Sequence, residues 1–165
     1  MHPFQDWCKQ LIIERQRQKM LCNAKGLLKQ YWDMKIPIDP EDCCSKLQLK
    51  IVKKDLQYCD GYLDGDNKTI YINNNLIRSR ERYTIALQLA HYCLQHKTID
   101  IFNKAYSKQD QSEANKFALD LLIPSIAIAA LVQKHNINDP VKLRKAFDVT
   151  SVAMYNQLKR LGYFL

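Results

Sequence analysis

Residues 82–96, RYTIALQLAHYCLQH, leave the rest of the chain little choice about what surrounds them. At helical spacing Ile85, Ala86, Leu87, Leu89, Ala90, Tyr92, Cys93 and Leu94 make the segment apolar on most sides, and such a helix belongs in the middle of a domain. One polar stripe interrupts it. Thr84, Gln88, His91 and Gln95 follow one another at spacings of four, three and four, which places them on one helix face. A buried helix with a neutral polar stripe lines either a cleft or a hydrogen-bonded seam in the core. A lone histidine in such a stripe is more often a satisfied structural residue than a ligand.

The chain is long enough to build the core that this helix requires. Its 165 residues correspond to one domain, and a chain of that size buries roughly 70% of its unfolded surface. A hydrophobic content of 47% and a charged content of 25% exclude a disordered tail. No uninterrupted run of 18 apolar residues occurs, so no membrane span is expected. The opening MHPFQDWCKQ lacks a basic-then-apolar leader. The 6 cysteines form no CxxC pair, and Cys43 and Cys44 are adjacent. Free buried thiols in a reducing, cytoplasmic setting are the expectation. Against 17 acidic residues stand 25 lysines and arginines, a net charge of +8. That balance suits anionic partners of any kind, or only a solvated surface.

Residues 4 to 34 read as helix. Phe4, Trp7, Cys8, Leu11 and Ile12 share one face, and the apolar face resumes at Leu21, Ala24, Leu27, Leu28 and Tyr31 after a basic stretch. The periodicity leaves open whether this is one helix or two. A short helix follows, with Asp39 as N-cap and Pro40 at its first position. Strands are predicted over Leu49 to Lys53, Tyr58 to Leu63 and Lys68 to Asn73. Asp64-Gly65-Asp66-Asn67 is turn chemistry for a hairpin. It lacks the distal glutamate of a calcium loop. Helices are then predicted from about Arg78 to His96, from Gln111 to Ile123, over SIAIAALVQ, and as a final pair from Val141 to Phe147 and Thr150 to Leu161.

The central segment resembles the active-site helix of the ImmA/IrrE-type metallopeptidases, whose pattern is Arg-Phe-Thr-Leu-Ala-His-Glu-Leu-Gly-His. Here it reads Arg82-Tyr83-Thr84-Ile85-Ala86-Leu87-Gln88-Leu89-Ala90-His91. SEANKFALDLLIPS, residues 112 to 125, resembles the family's Glu-x-x-Ala-Asn-x-Phe-Ala-x-x-Leu-Leu-Met-Pro segment. IPIDPEDCCSKLQLKIV, TIYINNN and LRKAFDVTSVAMYNQLKRLGY resemble the flanking helix and strand, the strand before the active-site helix, and a helix-turn-helix-like end. The resemblance covers about residues 22 to 163. It implies an α+β, zincin-like fold with a small three-stranded sheet and a helical body. It divides the chain into an N-terminal helical extension, residues 1–21, and a domain over 22–165.

In a zincin, two histidines four residues apart on one helix face bind zinc. The glutamate after the first activates the bound water, and a third side chain completes the protein ligands. By this resemblance the first ligand position holds Leu87, which has no lone pair to give. Gln88 stands at the position of the base, and its amide cannot accept a proton near neutral pH. The third position, three residues before the Ala-Asn pair, holds Gln111. Only His91 keeps its donor. Glu113 diverges from Gln111 by about 200° on an ideal helix, and His96 from His91 by about 140°. Cys93 points elsewhere again, and His2 and His135 are isolated. Leu87, Gln88, His91 and Gln111 are therefore read as vestigial positions, with no catalytic residue, no metal ligand set and no cofactor. Two carboxylates without a metal would repel in such a site, and neutral amides avoid that cost.

The final helical pair, with Thr150 as N-cap, carries Lys142, Arg144, Lys145, Lys159 and Arg160 around it. With Tyr155 these are the candidate contacts to a partner or to nucleic acid. The expected function is that of an inactive pseudopeptidase acting by protein binding, with a helix-turn-helix repressor, of mobile elements or stress responses, as the partner the resemblance implies. The rivals are a nucleic-acid-binding regulator using the basic surface and an active zinc-dependent endopeptidase with a rebuilt site.

Overall fold

The computed structural model describes residues 3–98 and 105–163. Eight helices and three strands follow one another in it as α1 (Pro3–Leu21), α2 (Ala24–Tyr31), α3 (Pro40–Lys46), β1 (Lys50–Lys54), β2 (Gly61–Asp64), β3 (Thr69–Asn73), α4 (Arg78–Cys93), α5 (Lys108–Leu122), α6 (Ser125–His135), α7 (Pro140–Phe147) and α8 (Ser151–Arg160). The fold is mixed α+β with a small three-stranded sheet and a predominantly helical body, as the sequence predicts. The expected N-terminal helix is two. Asn23 accepts a hydrogen bond from the Gly26 amide and caps α2, so the chain turns there. A Cβ on Gly26 would stand 1.8 Å from the Met20 carbonyl oxygen, and the corner needs glycine. The side chains of Phe4 and Cys8, and all of His2, lie outside the described residues.

The sheet order is β1-β3-β2. β1 runs parallel to β3, with Ile51 opposite Ile70, while β2 runs antiparallel to β3, with Leu63 opposite Ile70. The antiparallel pair is the hairpin that the DGDN turn announces. Alternation sets the two faces. Leu63, Ile70 and Ile72 are buried, whereas Tyr62 and Tyr71 stack on the other face at 4.9 Å with the Lys54 ammonium 4.3 Å from the Tyr71 ring.

Behind the sheet runs α4, whose Ile85, Ala86, Leu89 and Ala90 are fully buried. α5 packs along it with Ala114, Phe117, Ala118, Leu121 and Leu122. By length and composition the stretch Lys108–His135 is apolar enough to cross a bilayer. Pro124 divides it into two helices, whose Phe117, Leu121, Leu122, Ala127 and Ile128 are buried in the core while Ile126 is exposed. The N-terminal end of α4 is fastened by Arg82, whose guanidinium donates to the carbonyls of Ile38 and Asp148 at 2.5 and 3.1 Å. Gln157 of α8 donates to the Ile123 carbonyl at 2.8 Å. These buried polar contacts tie the last helices to the body.

Cys43, Cys44 and Cys93 are buried free thiols, and Cys22 and Cys59 are exposed ones. Burial pushes Cys43 up to about 11 and Cys93 up to about 12, so both stay protonated and unreactive.

Candidate functional site

A cavity of about 400 Å³ opens beside the middle of α4. Its wall comes from Thr84, Leu87 and Gln88 on α4, Gly61 at the start of β2, and Thr150 and Val152 at the start of α8. Gly61 makes the close approach of strand to helix possible. A Cβ there would stand 2.6 Å from the Tyr71 oxygen and 2.9 Å from Thr84 Cγ2. At the mouth Arg80 pairs with Asp60 at 2.6 Å.

The polar stripe of α4 splits between cleft and core. Thr84 bonds back to the Arg80 carbonyl at 2.9 Å. Gln88 is only 5% exposed; its Nε2 donates to the Gly61 carbonyl at 3.4 Å, and its Oε1 has no hydrogen-bond partner. His91 is fully buried. Its ring lies 3.5 Å from that of Tyr106, within 10° of parallel, and its Nε2 makes no hydrogen bond of normal geometry. Burial, joined by the neighbouring His96, pushes His91 down to about 4, against the opposing pull of Gln111 and Asp110. The ring is therefore neutral at neutral pH. Gln95 leaves the stripe altogether and is exposed.

The divergence expected of His91 and His96 is overturned. Their Nδ1 atoms are 3.1 Å apart. The helix expected to reach His96 ends at Cys93, and Gln95 takes a left-handed conformation with φ 56°. The His96 amide then bonds to the His91 carbonyl and the Gln95 amide to the Tyr92 carbonyl, the paired bonds of a Schellman turn. That turn folds His96 back over the end of its own helix. Glu113 approaches the same imidazole from α5. It is exposed, yet its long side chain brings Oε2 to 3.5 Å from His96 Nε2, and Asp110 Oδ1 lies at 3.6 Å. His96, which its helix angle sets aside, belongs to the site, and so do Tyr106 and Asp110, which the sequence does not single out. Gln95 lacks the glycine that marks such a turn, and nothing local marks Tyr106.

Gln111 is half-buried on α5, close enough to act on His91. Leu87 is half-buried and faces the cavity. It is not a fully packed core position, so Leu87→Ala is expected to cost only roughly 1–2 kcal/mol in urea denaturation. A loss above about 3 kcal/mol would show the position packed shut.

The residues present do not fit a zinc ion. Leu87 offers no donor and Gln88 and Gln111 are neutral amides, so the positions of the family pattern keep one imidazole, His91, where three or four donors are needed. Among the described residues no group of three or more His, Cys, Asp or Glu side chains is placed to hold a metal.

The basic residues of the C-terminal pair do not act alike. Lys142, Lys145, Tyr155 and Lys159 are exposed, and Arg144 is half-buried. Arg160 is bound to Asp120 and to Gln157, so it is occupied within the fold.

A model of the peptidase family M78, the IrrE N-terminal-like domain, matches residues 44–159. The chain belongs to this family. The match runs from within α3 to within α8 and takes in the sheet, the cleft and the positions of Leu87, Gln88, His91 and Gln111. It thus makes the chain metallopeptidase-like in fold. No curated protein matches it closely enough for comparison.

Proposed function

We propose that this member of the IrrE-like family is catalytically inactive and works by holding a segment of another protein in the cleft beside α4. The observation that carries the reading is the state of Leu87 and Gln88. They form the cavity wall where the family pattern places a zinc ligand and a general base, and neither can do that chemistry. The cleft itself remains open, about 400 Å³ with an apolar wall at Leu87 and Val152, so recognition can outlast hydrolysis. By the family resemblance a helix-turn-helix repressor in the cytoplasm is the partner proposed.

Two measurements on the purified protein test this. Elemental analysis after dialysis is expected to find far less than one zinc per chain. Capture from native lysate is expected to retain a partner with the wild type and lose it with Leu87→Arg, which fills the cleft with a long cationic side chain. Stoichiometric zinc would restore the endopeptidase reading. Equal capture by Leu87→Arg would move the binding surface elsewhere. The exposed Lys142, Lys145, Tyr155 and Lys159 favour nucleic acid as the second reading, and steeply salt-dependent DNA binding would support it.

A further inference from the structure

The apolar face predicted for the first helix is not part of the core. On α1 the side chains of Trp7, Leu11 and Ile12 are each at least 45% exposed. α1 meets the body on another side. Glu14, Arg17 and Leu21 line a small cavity with Tyr92 and Cys93 at the C-terminal end of α4. Measured from that side, Leu11, Ile12, Arg15 and Lys19 are turned away by roughly a quarter to half a turn. Arg15 and Lys19 are exposed as well. Trp7, Leu11, Arg15 and Lys19 follow one another at intervals of four, so one outward face passes from apolar to cationic along its length.

Charge is gathered on the same part of the molecule. α1 and α2 together hold Lys9, Arg15, Arg17, Lys19, Lys25 and Lys29 against Asp6 and Glu14. Six cations against two carboxylates leave +4, half of the chain's +8. Among the described residues none of these six cations is in an ion pair, whereas Lys46, Lys53, Arg78, Arg80 and Arg160 all are.

The two features together select the partner. Double-helical nucleic acid offers phosphates but no apolar layer for a leucine and an isoleucine. A second copy would set +4 against +4. A bilayer with anionic phospholipid has its phosphates and its acyl boundary within one side chain's length of each other. Tryptophan and aliphatic side chains enter the boundary, and the stems of lysine and arginine reach back to the phosphates. We infer that α1 is a peripheral docking helix for an anionic phospholipid surface, with Trp7, Leu11 and Ile12 inserted and Arg15 and Lys19 on the phosphates. A few apolar side chains or a few charges alone bind weakly, so both are needed and attachment is reversible. This does not rest on the reading of the cleft. α1 meets α4 at Tyr92 and Cys93, whereas the cleft is at Thr84, Leu87 and Gln88.

Co-sedimentation of the full chain with vesicles is the test. At about 0.1 M salt, vesicles of equal parts phosphatidylserine and phosphatidylcholine should bind it at least about tenfold more tightly than phosphatidylcholine alone. At about 1 M salt, where the Debye length falls to about 3 Å, the protein should be released. Arg15→Gln with Lys19→Gln, and separately Trp7→Ser with Ile12→Ser, should each weaken binding by about tenfold or more. Ile13→Ser is the control. Ile13 is as exposed as Ile12 but points away from Trp7 and Leu11 on a helix, so binding should be unchanged. All five side chains are exposed, and the circular dichroism of each variant should match the wild type. Equal binding to the two kinds of vesicle, or full binding by Trp7→Ser, Ile12→Ser, would overturn the inference. So would a protein that ignores both vesicles and instead self-associates, or takes up an acidic protein, through Trp7 and Ile12.

Discussion

Arg82→Met should destabilise the protein by about 3 kcal/mol, while Arg78→Met, one turn earlier on α4, should leave its stability close to that of the wild type. The two arginines lie close to the same carboxylate. Arg78 Nε is 2.8 Å from Asp148 Oδ2, but its side chain is 79% exposed. Such a pair gains little over its hydrated components. Arg82 is 6% exposed. Its guanidinium is the donor for the carbonyls of Ile38 and Asp148 and lies 3.5 Å from that of Phe147. Two segments far apart in sequence, at Ile38 and at Phe147–Asp148, therefore meet on one side chain of α4. Methionine keeps much of the volume but leaves those buried acceptors unpaired, at a cost of roughly 1–3 kcal/mol for each group. Some recovery through water limits the sum. Urea denaturation with unchanged slope would read the difference. A loss under about 1 kcal/mol for Arg82→Met would show that α4 is held by packing alone.

Arg82 also shows what local pattern can and cannot reveal. Its place at the head of the central helix is legible from the periodicity of residues 82–96, because a helix that is apolar on most sides has only one home in a domain of this size. The caps Asp39, Thr150 and the turn Asp64–Asn67 are legible for a similar reason, since each is decided by groups within four residues. The three carbonyls that Arg82 joins are not, because they are brought together only by the finished fold. The parallel pairing of β1 with β3 is another such case, since β2 intervenes in sequence but lies at the far edge.

At the site itself, the stripe Thr84, Gln88, His91 could be read either as a cleft or as a core seam. The structure contains both, with Leu87 and Gln88 on the cavity and His91 stacked in the interior. Ideal helix angles failed for His96 because they assume that the helix continues. It stops at Cys93, and a left-handed glutamine turns the chain back.

Restoring Leu87→His, Gln88→Glu and Gln111→Glu together is expected to create one zinc site of micromolar or better affinity where none is expected in the wild type. The donors would come from α4 and α5, two helices packed along each other, and rigid elements lose little freedom on binding. His91 is already prepared for the role. Its Nε2 makes no hydrogen bond of normal geometry and its Nδ1 is engaged by His96, the kind of outer contact that orients a ligating imidazole. Adding His96→Ala to the triple variant should therefore weaken zinc binding by about 10–100-fold. Stability supplies a second readout. Without metal, two carboxylates beside a buried imidazole should repel and lower the melting temperature of the triple variant below that of the wild type. Zinc should restore it, because the metal binds only the folded state. Peptidase activity need not return for the result to count, since the cleft can have changed its shape toward a substrate. The double variant without Gln111→Glu tests the third position on its own. If it binds zinc as tightly as the triple variant, Glu113 or Asp110 is supplying the ligand and the alignment of α5 is wrong by part of a turn. If the folded triple variant binds no zinc at all, the remnant positions do not converge, and the cleft beside α4 is not the descendant of a metal site.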